Sequence, residues 1–350
     1  MLIITISSAF FLDASAPTIE IKESGNGLPN PSINSGLEFG NFDLFASLIV
    51  WTAKEAGSDC WAEVITTEGS ASSNVLRPVH FDWDPGFKVG VGYGIKESRW
   101  DTQAYYTWYN TCGKDSVSSA PGTVHSTFTG NFYVDNAHGS GISGPAYQKA
   151  SIDWGIHFNI FDWELGHNFY ISKALDLRPF LGAKGGWIYQ SIDTKWYNPD
   201  LSTLQFLGSP YYSVGTEKVN NNFWGLGPQA GINTKWLLFA KQGQSFNIIG
   251  DFSGAMMWGH WSFGDVFQNT IGQEVFVDFA SLNNGATMMK SFLGFGFDTY
   301  FRKNRFHLSL KLGYEAQFWL DQLQFYSFVG GRLVNTLTLQ GGTLEFCLDY

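Results

Sequence analysis

Leu337-Thr338-Leu339-Gln340-Gly341-Gly342-Thr343-Leu344-Glu345-Phe346-Cys347-Leu348-Asp349-Tyr350 closes the chain. Counted back from Tyr350, the residues Leu348, Phe346 and Leu344 fall on one face, and Asp349, Cys347, Glu345 and Thr343 fall on the other. A period of two with one apolar face predicts a β-strand that meets a different solvent on each side. A water-soluble sandwich also alternates in this way, so the rest of the chain has to decide how many strands accompany this one.

Working back, Phe306, Leu308, Leu310, Leu312, Tyr314, Ala316 and Phe318 alternate with His307, Ser309, Lys311, Gly313, Glu315 and Gln317. The pattern predicts Phe306, Leu308, Leu310, Leu312 and Leu348 on a lipid-facing surface. Phe87–Tyr93 sets Phe, Val, Val and Tyr against Lys, Gly and Gly. From Lys149 onward, Ala150, Ile152, Trp154, Ile156, Phe158 and Ile160 hold the apolar phase. At Phe161-Asp162 that phase slips by one, and Trp163, Leu165, His167 and Phe169 take it over. A slip without turn residues predicts a β-bulge inside one long strand. Other strands are expected near Phe42–Ala53, Ser58–Glu68, Trp100–Asn110, Leu177–Gln190, Asn222–Trp236, Phe246–Trp261 and Thr287–Phe301. The first two of these are read as a hairpin, and a weak strand is expected near Phe128–Val134.

Connections alternate in length. Short turns at 54–57, 96–99, 172–176, 237–245 and 302–305 interleave with long polar loops near 69–84, 112–146, 191–221, 262–286 and 319–336. Short turns on one side and long loops on the other are the habit of outer-membrane barrels. Eleven strands are counted; single-chain bacterial barrels have an even number, so the expectation is an all-β, antiparallel up-and-down transmembrane barrel of about 12 strands, range 10 to 14. Trp224 and Trp236 share one face, twelve residues apart, which at strand rise and barrel tilt is roughly 30 Å along the membrane normal. Both are predicted to face lipid, one in each aromatic girdle.

Composition agrees. Of 350 residues, 15% are charged, 17% are aromatic and 40 are Gly, yet mean hydropathy is near zero, which suits strands with one greasy and one wet face. No run reaches the 18 or so apolar residues of a spanning helix. A net charge of −10 argues against a nucleic-acid partner, which calls for a basic face. Cys60, Cys112 and Cys347 leave open one disulfide between the first two or three free thiols. Scattered cysteines and histidines give no metal site, and no cofactor is called for. Leu2–Leu12 followed by Ala14-Ser15-Ala16 reads as an export signal over residues 1–16, although it lacks a basic start. Residues 17–41 read as a flexible lead-in, and 42–350 as the barrel.

Gly86-Phe87-Lys88-Val89-Gly90-Val91-Gly92-Tyr93, Asp162-Trp163-Glu164-Leu165-Gly166, Leu177-Arg178-Pro179-Phe180-Leu181-Gly182 and Asn222-Phe223-Trp224-Gly225-Leu226-Gly227-Pro228 resemble segments of the Legionella-type major outer membrane protein family, whose relatives occur in chlamydia-like bacteria. The resemblance runs from about Phe42 to Tyr350. It implies a pore-forming barrel in the bacterial outer membrane, a porin that passes ions and small hydrophilic solutes. The aromatic ending resembles the C-terminal signal that such barrels present to their insertion machinery, which makes Leu344, Phe346, Leu348 and Tyr350 the assembly signal. Lipid and lipopolysaccharide would be the surrounding partners. Porins often trimerise, and nothing in the sequence marks an interface.

Opposite the greasy stripes stand Lys88, Asp101, Lys149, Asp153, Glu164, Arg178, Lys184, Lys235, Asp251, Lys290, Asp298, Lys311, Glu315, Glu345 and Asp349. These are expected to line the pore. Near-balanced charge implies weak selectivity, tilted toward cations by the acidic loops. The competing reading pairs these charges across the lumen and closes it, leaving a structural or adhesive barrel that acts through its loops. The enzyme reading rests on His307-x-Ser309, which resembles the pair used by lipid A deacylases, with Glu315 as the orienting acid. That pair would have to face lipid, and here it faces inward beside Lys311, so no catalytic residue is expected. Asp82 and Asp84 lack the further oxygen ligands a cation site needs.

Overall fold

The computed structural model describes residues 42–349 apart from 70, 96–97, 131–145, 201–210, 242, 302–305 and 328–330, and apart from the side chains of 279, 280, 301, 306, 327 and 331. The signal, the lead-in, residues 131–134 of the weak strand, Tyr350 and the Phe306 side chain lie outside the described residues.

Ten antiparallel strands form a closed barrel. They are β1 Phe42–Glu55, β2 Asp84–Gly94, β3 Trp100–Ser118, β4 Lys149–His167 and β5 Leu175–Tyr197, then β6 Val214–Lys241, β7 Gln244–Asn269, β8 Glu274–Phe301, β9 Phe306–Ser327 and β10 Gly331–Asp349. Each pairs with its sequence neighbour, and β1 closes the ring on β10 with Leu48 opposite Leu344 and Asp43 opposite Asp349. Closure removes the open edges that a sheet would otherwise expose.

The strand count is ten, not twelve, for a local reason. Ala62–Glu68, read as a partner of β1, instead pairs with Ala71–Arg77 and with Val124–Ser126 in a small separate sheet. No hairpin joins it to β1, whose neighbours are β2 and β10. The expected long polar loops are shorter too. Residues 191–197, 214–221, 262–269, 274–286, 319–327 and 331–336 continue the strands instead.

β4 explains why. Its pairing with β5 runs without a shift from Tyr197 opposite Lys149 to Phe180 opposite Gly166. There is no bulge at Phe161-Asp162. The even residues stay buried inside throughout, first Ile152, Trp154, Ile156, Phe158 and Ile160, then Asp162 and Glu164. The odd residues stay outside, first Ser151, Asp153, His157 and Asn159, then Phe161 and Trp163. The register is constant and the solvents exchange places.

Membrane thickness accounts for the exchange. About 9–11 residues of a tilted strand cross the hydrocarbon, and β6 has 28. Its outward face is apolar from Trp224 through Leu226 and Ile232 to Trp236, and polar beyond, at Asn222, Asn220 and Lys218. β1 likewise shows Leu44, Leu48 and Val50 outward, then Thr52 and Lys54. Connections at the greasy end are all short, whereas the long ones, between β1 and β2, β3 and β4, and β5 and β6, lie at the other end, which marks the greasy end as the periplasmic side. The barrel therefore has a membrane section and an external shaft. In the shaft the interior is apolar and the exterior wet, as in a water-soluble protein.

Candidate functional site: the barrel lumen

The membrane section of the lumen is a lattice of charges. Alternation carries Lys88 from β2 and Glu315 from β9 inward, where they pair at 2.5 Å. Arg178 of β5 meets Asp101 at 2.5 Å and Glu164 at 2.8 Å. Lys184 pairs with Asp162, Lys235 with Asp298 at 2.6 Å, and Lys311 with Glu345 at 2.7 Å. Charges taken from water in this way are tolerated because each has a hydrogen-bonded counter-ion. Between them lies a cavity of about 120 Å³. Its wall carries Asp43, Glu164, Asp251, Glu315 and Glu345 against Lys88, Arg178, Lys235, Lys290 and Lys311. In the surrounding lattice Asp101, Asp162, Asp298 and Asp349 outnumber Lys184 and His307, so the lumen is acidic on balance.

The shaft section of the lumen is a seal. Trp51, Trp154, Phe158, Phe223, Trp261, Phe263, Trp319 and Leu337 are almost wholly buried in one apolar cluster. The segment after Val124–Ser126 folds onto it. Phe128 packs edge-on to Phe325 at 5.6 Å and against Trp154 at 6.0 Å between ring centroids. Gly130 donates its N–H to Glu217 at 2.5 Å, and its carbonyl accepts from the Tyr147 hydroxyl at 3.0 Å. Gly130 has φ +77° and lies against the Trp196 indole, so a side chain there would be both strained and obstructed.

Three buried carboxyls in this shaft lack a basic partner among the described residues. Burial pushes Glu55 up to about 8, despite a hydrogen bond from Gln190 at 3.1 Å. Burial pushes Asp265 up to about 7, and burial together with neighbouring Asp265 raises Glu217 well above the usual carboxylate range.

Of the residues expected to line the pore, Lys88, Asp101, Arg178, Lys184, Lys235, Asp251, Lys290, Asp298, Lys311 and Glu315 point into the lumen. Lys149 and Asp153 do not. They lie on the outward face of the shaft, where Lys149 covers the Tyr197 ring and Asp153 pairs with Lys114 at 2.7 Å. Their inward placement followed from taking Ile152 and Trp154 as lipid-facing. On the greasy side, Trp224, Trp236, Leu308, Leu310, Leu312, Leu344, Phe346 and Leu348 all point outward. Asp43, Asp162 and Tyr105 were missed as lining residues. Asp43 sits at the first strand's edge, and Asp162 was hidden by the supposed bulge.

His307 and Ser309 share the inner face, but Glu315 does not orient the histidine. His307 lies between Asp349, at 2.5 Å from Nδ1, and Asp298, at 3.3 Å from Nε2. With both ring nitrogens facing carboxylates, neither is placed to take a proton from Ser309. Cys60, Cys112 and Cys347 are free thiols, so no disulfide links the first two.

Comparison with known proteins is decisive at the level of family. The family model described as Legionella pneumophila major outer membrane protein precursor matches residues 37–348. The chain belongs to this family. It is accordingly an outer-membrane β-barrel of the bacterial cell. No curated protein matches it significantly. Among solved structures it is similar to the outer membrane protease OmpT of Escherichia coli, at 10% identity over 89% of this chain and 96% of that one, TM-score 0.39. It is also similar to a major outer membrane protein of Thermus thermophilus, at 9% identity over 89% and 99%, TM-score 0.30. A FadL homologue of Pseudomonas aeruginosa follows at 10% identity over 89% and 90%, TM-score 0.31.

Proposed function

We propose that this family member is a gated, low-conductance pore for small ions and hydrophilic solutes, with a weak preference for cations. The observation that carries the reading is the charge-lined cavity in the membrane section, whose surrounding lattice is acidic on balance. A path through such a section favours cations electrostatically. Passage beyond it requires the aromatic seal to part, so conduction is intermittent rather than continuous, as at a hydrophobic constriction that gates by dewetting. No catalytic role is proposed. The outward belt is read as contacting lipid and lipopolysaccharide, and the greasy face of β10 as what the insertion machinery recognises.

A second reading has its own observation. The seal is built largely from strand side chains, packed as in a soluble core, which suits a silent structural or adhesive barrel. Single-channel recording in a planar bilayer separates the two. The pore reading expects brief small steps in the native protein, a cation-selective reversal potential in a salt gradient, and longer openings in Phe128→Ser, which thins the seal. Silence in both proteins, with folding retained, makes the structural reading the correct one.

A further inference from the structure

Buried charges are tolerated in pairs, and the cavity wall adds two half-buried charges that no salt bridge joins. Among the described residues, Lys290 has no carboxylate within ion-pairing distance. Its Nζ donates to the Tyr105 hydroxyl at 3.0 Å, with the Tyr105 ring face 5.4 Å away, and that hydroxyl donates in turn to Glu164 at 3.0 Å. Asp251 likewise has no Lys or Arg within ion-pairing distance among the described residues, while Lys88, Arg178, Lys184, Lys235 and Lys311 are each committed to another carboxylate. Lys290 and Asp251 project inward from adjacent strands. Lys290 is registered opposite Ser253, and Asp251 opposite Phe292, two residues along each strand. That is a diagonal neighbour spacing of about 7–8 Å between backbones, and both side chains line the cavity.

We infer that this site binds a small zwitterion, an α-amino acid with a short side chain. Its carboxylate would take the Lys290 ammonium, and its ammonium would take Asp251. A ligand with both charges on adjoining carbons makes a direct ion pair with both wall groups at once, whereas a simple anion or cation pairs with only one of them. The rest of the wall fits. Gln103 offers a neutral hydrogen-bonding group, and Phe45 and Phe292 give a short side chain an apolar surface. A cavity of about 120 Å³ has room for several waters, which suits glycine or alanine and excludes bulky side chains.

This rests on the lumen being a route for solutes, but its test does not need conduction. Refolded full-length protein in detergent would be titrated calorimetrically with glycine and L-alanine. Sodium acetate and methylammonium chloride serve as the separate halves of the ligand. The expected result is saturable binding of the amino acids, with each half weaker by at least about tenfold. Lys290→Met or Asp251→Asn should weaken amino-acid binding by a similar factor, and Lys290→Arg should recover part of it. The paired Lys290→Met/Asp251→Asn variant keeps charge balance and serves as the folding control on heat-modifiable gel migration. No saturable binding by the native protein, halves that bind as well as the whole, or undiminished binding in the paired variant would each overturn the assignment. A bilayer-silent protein that still binds alanine leaves this site standing and removes the pore. A conducting protein that ignores alanine does the reverse.

Discussion

One strand crosses two solvents, and the two halves of β4 invert each other. Near the periplasm Phe161 and Trp163 face outward while Asp162 and Glu164 face in; in the shaft His157 and Asn159 face outward while Trp154 and Phe158 face in. Alternation is equally regular in both halves. Its meaning depends on which medium surrounds the barrel at that height. The membrane half owes its stability to lipid outside and paired charges inside, and the shaft to a protein-like core. The two halves should therefore respond to substitution in opposite ways.

The largest effects should come from the two interiors. Trp154→Ala removes a fully buried indole from the seal and should cost about 3–5 kcal/mol, measured by urea titration of the refolded protein. In the membrane half the matching test is electrostatic. Lys184→Met strands Asp162 and should cost about 3–5 kcal/mol, whereas adding Asp162→Leu should recover most of it, because an apolar pair can replace a buried ion pair. If Lys184→Met is neutral, the lattice is more hydrated than the pairing geometry implies, and the contrast between the halves weakens.

Outward positions come next. Leu310 faces lipid in β9, paired with Phe346 of β10, and Leu310→Arg should cost roughly 2–4 kcal/mol near mid-membrane. A neutral outcome would move the belt away from the middle of β9.

Acidity should act on the shaft. Glu55, up to about 8, and Asp265, up to about 7, stay protonated in the folded shaft over a range where the unfolded chain ionises near pH ~4. The folded state then binds more protons than the unfolded one, so their contribution is fully present below about pH 4 and is lost as pH rises through 7 to 8. The native protein should melt several degrees lower at pH 9 than at pH 5. Glu55→Gln, which keeps the length of the side chain without the charge, should reduce that slope. A slope unchanged in Glu55→Gln would show that this carboxyl is hydrated.

Much of the membrane half was legible in the sequence. Leu308, Leu310, Leu312, Trp224 and Trp236 were placed by period and spacing alone, and most of the charged lining followed as their opposite face. The shaft was not legible by the same rule. Ile152, Trp154, Ile156 and Phe158 look as greasy as the membrane belt, so they read as lipid-facing, and Lys149 and Asp153 followed them into the wrong side. Period two fixes which residues share a face but carries no sign for inside and outside. The clue was the apparent slip at Phe161-Asp162. A bulge would shift the pairing register, whereas an exchange of solvents leaves it unbroken. Strand length was the other missing quantity, because segments such as Ser262–Asn269 carry enough Gly, Asp and Asn to pass for loop.

The smallest predicted effect tests the inversion most directly. Asn220 lies on the outward face of β6, four residues beyond Trp224 on the shaft side, and is exposed. Asn220→Arg should change stability by no more than about 0.5 kcal/mol, as at an ordinary wet surface. Ile232→Arg, on the same face of the same strand but inside the belt, should cost several times more. An arginine scan along even-numbered outward positions of β6 should therefore step up close to Trp224 and stay high to Trp236. A uniform penalty along the strand would place Asn220 in lipid and make the shaft part of the membrane section. A uniform absence of penalty would take the belt out of lipid altogether. A single step at Trp224 is what one register crossing two solvents requires.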